Sequence, residues 1–208
     1  DQRPPNWGAI VETLAAIYEA ELGEAPELEI SGIELEAREL MDKAYSLTEL
    51  GRAEEALATY DRAIALQPNF PWAWARKGRA LRILNRCEES LACYDEALRL
   101  DPNYAWALKG RGMALERMGD LEGALEAHRR AAQLDPSDVW HWHNQGEIYQ
   151  KMGRYDDAIA MLEAALRIDE RHANSWAKLG QVYRLRRQYD KAMEAYERAI
   201  ALDRRYAW

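Results

Sequence analysis

Apolar residues along most of the chain recur at the three- and four-residue spacing of an amphipathic helix, in stretches of about fourteen residues. The stretches come in pairs, and a short break such as Leu50-Gly51-Arg52 or Met118-Gly119-Asp120 separates the two members. Proline follows the second stretch at Pro68, Pro102 and Pro136, where it ends a helix because it has no amide hydrogen to donate. The pattern predicts an all-α chain built from helix–turn–helix units.

These units repeat with a period of 34 residues, which three series of small residues make visible. Small side chains at fixed places allow two paired helices to approach closely, while large residues fill the space around them. Five units are therefore predicted, over residues 37–70, 71–104, 105–138, 139–172 and 173–206. The series are Ala44, Gly78, Gly112, Gly146 and Gly180; Ala56, Ser90, Ala124, Ala158 and Ala192; and Ala63, Ala97, Ala131, Ala165 and Ala199.

The unit resembles the tetratricopeptide repeat in its length, its small residues and the large residue at Trp74, Trp142 and Trp176. The resemblance implies an all-α, right-handed superhelical solenoid of antiparallel helix pairs. It also implies that the first helices line a concave groove and that the second helices form the convex surface. Two departures from the family pattern are Glu170, which replaces a terminal proline, and His128, which replaces an aromatic residue.

The two ends of the chain do not fit the repeat. Residues 1–36 are predicted to hold an amphipathic helix, with an apolar stripe from Trp7 to Leu22, followed by an acidic linker. We interpret that helix either as a cap on the first unit or as the remnant of a preceding domain. Residues 207–208 begin a sixth unit in phase without a polar capping helix, so the array is expected to continue or to stack on another molecule at this open end.

Charge is distributed unevenly along the chain. Residues 1–36 carry nine acidic residues and one basic residue, which accounts for the whole net charge of −8. In units two to five the first helices sum to +12 and the second helices to −11. A basic concave groove is therefore expected, unless these charges vary without selection. Its expected contributors are Arg76, Arg79, Arg82, Lys109, Lys178 and Arg184.

A second series, Trp72, Trp106 and Trp140, stands two residues before the signature position in three successive units. The resemblance places this position in the groove, and aromatic residues on an exposed face are common binding anchors. The alternative is that each indole packs on the neighbouring repeat. The predicted partner-binding site unites these tryptophans and the basic residues with Met113, His143 and Asn144.

The sequence contains no pattern typical of a catalytic, cofactor or metal site, so no enzyme activity, cofactor or metal is predicted. His141 and His143 are two residues apart on a helix and point about 160° away from each other. Met113 stands where the carboxylate clamp of chaperone-binding family members requires an asparagine four residues after Lys109. The near-neutral array disfavours nucleic acid as a partner, and no run of eighteen apolar residues predicts a membrane helix.

The predicted function is a protein-interaction scaffold that binds a peptide or protein with acidic and apolar side chains in the concave groove, as one arm of a larger protein. Cys87 and Cys93 lie on one predicted helix and cannot pair, which favours a reducing, cytoplasmic location. The alternative is a regulatory or substrate-positioning segment of an enzyme whose catalytic domain lies elsewhere. Self-association through the open C-terminal end is a further hypothesis.

Overall fold

The computed structural model describes residues 32–206, and these residues form ten α-helices followed by a short 3-10 turn. The helices are α1 (Gly32–Glu49), α2 (Ala53–Leu66), α3 (Pro71–Ile83), α4 (Cys87–Leu100), α5 (Ala105–Met118), α6 (Leu121–Leu134), α7 (Val139–Lys151), α8 (Tyr155–Ile168), α9 (Ala173–Leu185) and α10 (Tyr189–Leu202), and the turn is Arg204–Tyr206. The predicted all-α array of helix pairs is confirmed.

Each odd-numbered helix packs against the even-numbered helix that follows it, and these pairs coincide with the five predicted units. The first pair differs from the prediction at its start, because α1 begins at Gly32. Residues 32–36, which were assigned to the acidic linker, are therefore helical. The predicted capping helix, Ser31 and residues 207–208 lie outside the described residues.

The small residues lie where the two helices of a pair touch. All five alanines of the series that begins at Ala63 are 0% exposed. Ser90, which takes the place of alanine in the second unit, donates a hydrogen bond from its hydroxyl to the backbone oxygen of Gly78 at 2.7 Å. A larger residue at these places would push the paired helices apart, so the 34-residue spacing follows from close packing.

A hydrogen bond ties the start of most units to the preceding loop. The signature tryptophan donates it from its indole nitrogen to a backbone oxygen six residues earlier. In the third unit Leu108 has no donor, and the guanidinium of Arg130 donates to the oxygen of Pro102 at 2.7 Å instead. The indole bonds join Trp74 to Pro68 (2.8 Å), Trp142 to Pro136 (3.1 Å) and Trp176 to Glu170 (2.8 Å).

The contacts between units distinguish an inner from an outer side of the array. The first helices contact each other across unit boundaries, α1 with α3, α3 with α5, and α7 with α9. No two second helices make a comparable contact within residues 32–206. The first helices therefore lie closer together and form what we call the inner face, while the second helices form the outer face.

The turn inside each unit places one residue in the left-handed backbone region. Gly51, Gly119 and Gly153 have φ values of 77°, 85° and 73°, and the same position is taken by Asn85 (φ 61°) and Arg187 (φ 59°). Glycine adopts this conformation without strain, asparagine tolerates it, and a residue such as arginine is strained there. The turn between α9 and α10 is therefore the most strained of the five.

Replacing Arg187 by glycine is expected to raise the free energy of unfolding by about 1 kcal/mol, because the strained φ is relieved. Asn85→Gly is the matched control at the equivalent turn, and it should give a smaller gain. Urea unfolding of the three proteins measures both differences. A loss of stability in Arg187→Gly would show that the arginine side chain makes a contact that outweighs the strain.

Candidate protein-binding face

Two tryptophans of the predicted ladder are half-buried against aromatic neighbours. Trp72 stacks on Phe70, with ring centroids 5.5 Å apart, and packs into the core between the first two units. Trp106 packs against Tyr104 and Tyr94, at 6.2 and 6.4 Å between centroids. Both indoles therefore pack at a boundary between units as well as bordering the inner face.

Trp140 has a different environment, because 40% of its surface is exposed. Its ring stands edge-on to His172 and His143, at 4.6 and 5.3 Å between centroids. The hydroxyl of Ser175 lies 2.7 Å from Nδ1 of His172 and 3.0 Å from Nδ1 of His143. This cluster joins the fourth and fifth units and leaves one face of Trp140 open to solvent.

His143 belongs to this cluster and not to an open surface, since only 5% of it is exposed. Burial lowers the pKa of His143 to about 4, with a further contribution from the neighbouring His172. Burial also lowers the pKa of His172. Both rings are therefore neutral near pH 7, and His143 contributes to packing between units at this face.

The basic residues of the inner face are mostly paired with carboxylates across unit boundaries. Each of these pairs joins two units, so the excess positive charge of the first helices is locally compensated. Such pairs fix the register between neighbouring units more than they attract a distant anion. The pairs are Arg76 with Asp42 (3.9 Å), Arg79 with Glu49, Lys109 with Asp138 (2.8 Å), Lys151 with Glu116 (2.6 Å) and Lys178 with Glu147 (2.8 Å).

Asp138 shows how tightly the third and fourth units are joined. Its carboxylate caps α7 by accepting a hydrogen bond from the amide of Trp140 at 2.9 Å, and it also accepts one from Lys109. Burial alone would raise the pKa of Asp138, but these two hydrogen bonds outweigh it and lower the pKa below its ordinary value. A charged carboxylate is therefore held at this boundary.

The remaining predicted residues differ in accessibility. Met113 and Asn144 are half-buried on the inner face. Arg82 is half-buried beside Tyr94, whose pKa is raised by burial and partly lowered again by this guanidinium. Arg184 is exposed and has no ion-pair partner among residues 32–206. Of the predicted cations, Arg184 is the one whose charge is both exposed and uncompensated in this part of the chain.

A cavity of about 720 Å³ opens at the C-terminal end of the inner face. Its polar lining includes Lys178, Gln181 and Arg184 from α9, and its apolar lining includes Met193 and Tyr196 from α10. The sequence prediction placed the site on first helices alone and missed the two residues of α10. Their exposure follows from the absence of a further helix against α10 among the described residues, which the in-phase repeat indicated only indirectly.

A second histidine pair lies buried between the third and fourth units. His128 is 0% and His141 2% exposed, and neither nitrogen of His128 has a hydrogen-bond partner among the described residues. Burial lowers the pKa of His128 to about 3, and His141 adds to the shift. His128 therefore fills the place of an aromatic residue as a neutral ring, as the sequence predicted.

Models of the tetratricopeptide repeat match residues 44–81, 78–119, 105–138 and 138–205. The chain belongs to the tetratricopeptide-repeat family. No curated protein is significantly similar to this tetratricopeptide array in sequence. Within residues 32–206, no helix is both long and apolar enough to cross a bilayer, and no group of three or more His, Cys, Asp or Glu side chains could hold a metal ion.

Solved structures of other proteins share the tetratricopeptide fold at low sequence identity. MamA from Desulfovibrio magneticus RS-1, residues 41 to the end, is 21% identical with a TM-score of 0.72, over 81% of this chain and 96% of its own. The Pseudomonas aeruginosa pilF structure is 20% identical with a TM-score of 0.74, over 85% of both chains. YrrB, a tetratricopeptide protein with an unusual peptide-binding site, is 22% identical with a TM-score of 0.63, over 93% of both chains.

Proposed function

We propose that this tetratricopeptide array is a protein-interaction scaffold that holds a segment of a partner protein on its inner face. The observation that carries the proposal is the surface at the fourth and fifth units, where the open face of Trp140 and the cavity beside Gln181 adjoin the unpaired Arg184. Exposed aromatic groups and a free guanidinium are typical of binding hot spots. The fold shared with YrrB, which has a peptide-binding site, supports the same class of function.

The ion pairs refine the chemistry of the partner. Arg76, Arg79, Lys109 and Lys178 already contact carboxylates of this chain, so a partner would have to displace those carboxylates to reach them. Arg184 requires no such exchange. The proposed partner segment therefore carries apolar side chains for the cavity and a carboxylate for Arg184, and it is not strongly acidic along its whole length.

The test compares added charge on the inner face with the same charge on the outer face. Asn144→Glu and Gln181→Glu are combined in one protein, and Ala92→Glu and Ala160→Glu, both at exposed positions on second helices, in its matched control. We expect the inner-face variant to lose its partners in a quantitative pull-down while the control keeps them. Equal capture by both folded variants, or loss only in the control, would contradict the proposal.

A further inference from the structure

The last helix, α10, exposes a face that is covered in every earlier unit. Tyr60, Tyr94, His128 and Leu162 hold one equivalent position in the first four units and are at most 1% exposed, whereas Tyr196 in the fifth unit is only half-buried. Met193 and Tyr189, on the same helix, are 60% and 61% exposed. We call the surface formed by Arg184, Tyr189, Met193, Tyr196 and Ile200 the C-terminal face.

The earlier units show which structure covers this face. Each second helix packs against the first helix of the next unit, α2 with α3, α4 with α5, α6 with α7 and α8 with α9. A helix in the same orientation against α10 would cover Met193 and Tyr196 in the same way. The four internal interfaces are therefore templates for the occupant of the C-terminal face.

Tyr94 provides the most informative template, because it is the same residue type as Tyr196. Its ring lies between Gly78 of its own unit and Gly110 of α5, and a Cβ atom on Gly110 would overlap the ring. Trp106, four residues before Gly110, packs edge-on to the same ring. Tyr196 contacts Gly180 of its own unit, as Tyr94 contacts Gly78, but its other side has no such helix among the described residues. The missing helix should present an aromatic residue and, four residues later, a small one.

The charges of the C-terminal face indicate one further feature of the occupant. Glu116 holds the position of Arg184 in the third unit, and it pairs with Lys151 of the next first helix at 2.6 Å. Arg184 reverses the charge of Glu116. The residue of the occupant that corresponds to Lys151 should therefore be acidic, and by the repeat it lies eleven residues after the aromatic one.

A second copy of this chain, stacked end to end through α1, would fit the C-terminal face poorly. In the repeat, α1 carries Lys43 and Ser46 where α9 carries the buried Leu179 and Val182. Such a stack would bring a polar surface against Met193 and Tyr196, and burial of unpaired polar groups is unfavourable. The apolar C-terminal face therefore matches an amphipathic helix of a different protein.

We infer that the C-terminal face docks an amphipathic helix of a partner protein, with an aromatic residue, a small residue four positions later and an acidic residue eleven positions after the aromatic one. This inference rests on the proposed function, because it names the chemistry of a partner segment at one end of the array. The helix would extend the solenoid by the contact that its own units already use. Tyr196 would be covered by the small residue, and Arg184 would pair with the acid.

The probe that tests this inference is a helix-stabilised peptide with the sequence of α5, in which Arg117 is replaced by glutamate. We expect saturable binding to the 208-residue protein by fluorescence anisotropy. Met193→Glu should weaken binding by about tenfold or more, since it places a charge in the apolar contact. Ile83→Glu is the matched control, because Ile83 is 46% exposed and lies three units away, and it should bind like the unchanged protein.

Two further measurements separate specific docking from general stickiness. A peptide with Gly110→Leu should bind about tenfold more weakly, since the leucine would collide with Tyr196. The peptide that retains Arg117 should bind poorly to the unchanged protein and better to Arg184→Glu, as a charge exchange requires.

Absence of saturable binding, or equal binding by Met193→Glu, would overturn the inference. So would self-association that Met193→Glu abolishes, or binding only after residues 1–31 are removed, because either result would assign the face to this chain itself. If the peptide fails while the inner-face variant still loses its partners, the docking inference falls and the proposed function stands. If the peptide binds as expected while the inner-face variant keeps its partners, the proposed function falls.

Discussion

Replacing Tyr94 by alanine is expected to lower the free energy of unfolding by about 3–5 kcal/mol, the range observed for removing a buried aromatic ring. The ring is 1% exposed and lies between Gly78 and Gly110, so its loss leaves a cavity at the boundary of the second and third units. Urea unfolding measures the change. Arg99→Ala, an exposed position on the same helix, is the control, and it should change stability by less than about 0.5 kcal/mol.

A second substitution tests whether the close approach at Gly110 is the cause. Gly110→Ala should destabilise the unchanged protein, because the added Cβ overlaps the ring of Tyr94. In the Tyr94→Ala background the overlap is gone, and the better helix propensity of alanine should make the same change neutral or stabilising by about 1 kcal/mol. A change of sign between the two backgrounds supports the packing, whereas equal effects would contradict it.

Acidification is expected to destabilise the array before its carboxylates titrate. His128 and His143 have folded-state pKa values of about 3 and about 4, against 6.5 for an unperturbed histidine. The unfolded chain therefore binds protons first as the pH falls. The stability contributed by these groups is complete above about pH 6.5 and is lost as the pH falls toward the folded-state values.

Each of these two histidines should account for about 2 kcal/mol of lost stability between about pH 7.5 and about pH 5, so together they give about 4 kcal/mol. The groups that face His128 are His141, Lys109 and Asp138, and those that face His143 are His172, Glu147 and Lys178. None of these neighbours holds either ring in its charged form. Urea unfolding at several pH values measures the slope.

His128→Leu provides the control for the pH dependence. Leu162 holds the equivalent position in the fourth unit and packs over Gly146 as His128 packs over Gly112, so leucine fits this place. The variant should lose about half of the pH dependence below about pH 6.5, because one of the two titrating rings is gone. An unchanged slope would show that His128 is not the group that senses acidification.

The helix pairs could be predicted from the sequence because their causes repeat. Gly78 or Gly146 lies beneath a large residue of the second helix in every turn of the 34-residue period, and the same steric reason applies each time. The start of α1 differed, since residues 32–36 precede the first repeat and the acidic composition of this segment resembles a loop. Helix propensity and the tertiary contacts of α1 decide such a boundary, and the period does not report them.

The candidate site could be predicted only in part. The sum of charges on the first helices did not reveal that Arg79 pairs with Glu49 or Lys178 with Glu147, because these residues lie about thirty positions apart and meet only when two units stack. The periodicity likewise assigned His143 to the groove surface, although the rings of Trp140 and His172 bury it. Local spacing gives the face of a helix, and the stacking of units determines what remains accessible there.

Site-specific photo-crosslinking tests most directly whether a partner lies on the inner face. A benzophenone-bearing phenylalanine replaces Met113, Asn144 or Gln181 on the inner face, or Ala92, Glu126 or Ala160 on the outer face, and the crosslinked partner is identified by mass spectrometry. Our account predicts that one partner protein is captured from the inner positions and is absent, or much reduced, at the outer ones. Capture of that partner from the outer positions alone would contradict the account and place recognition on the second helices.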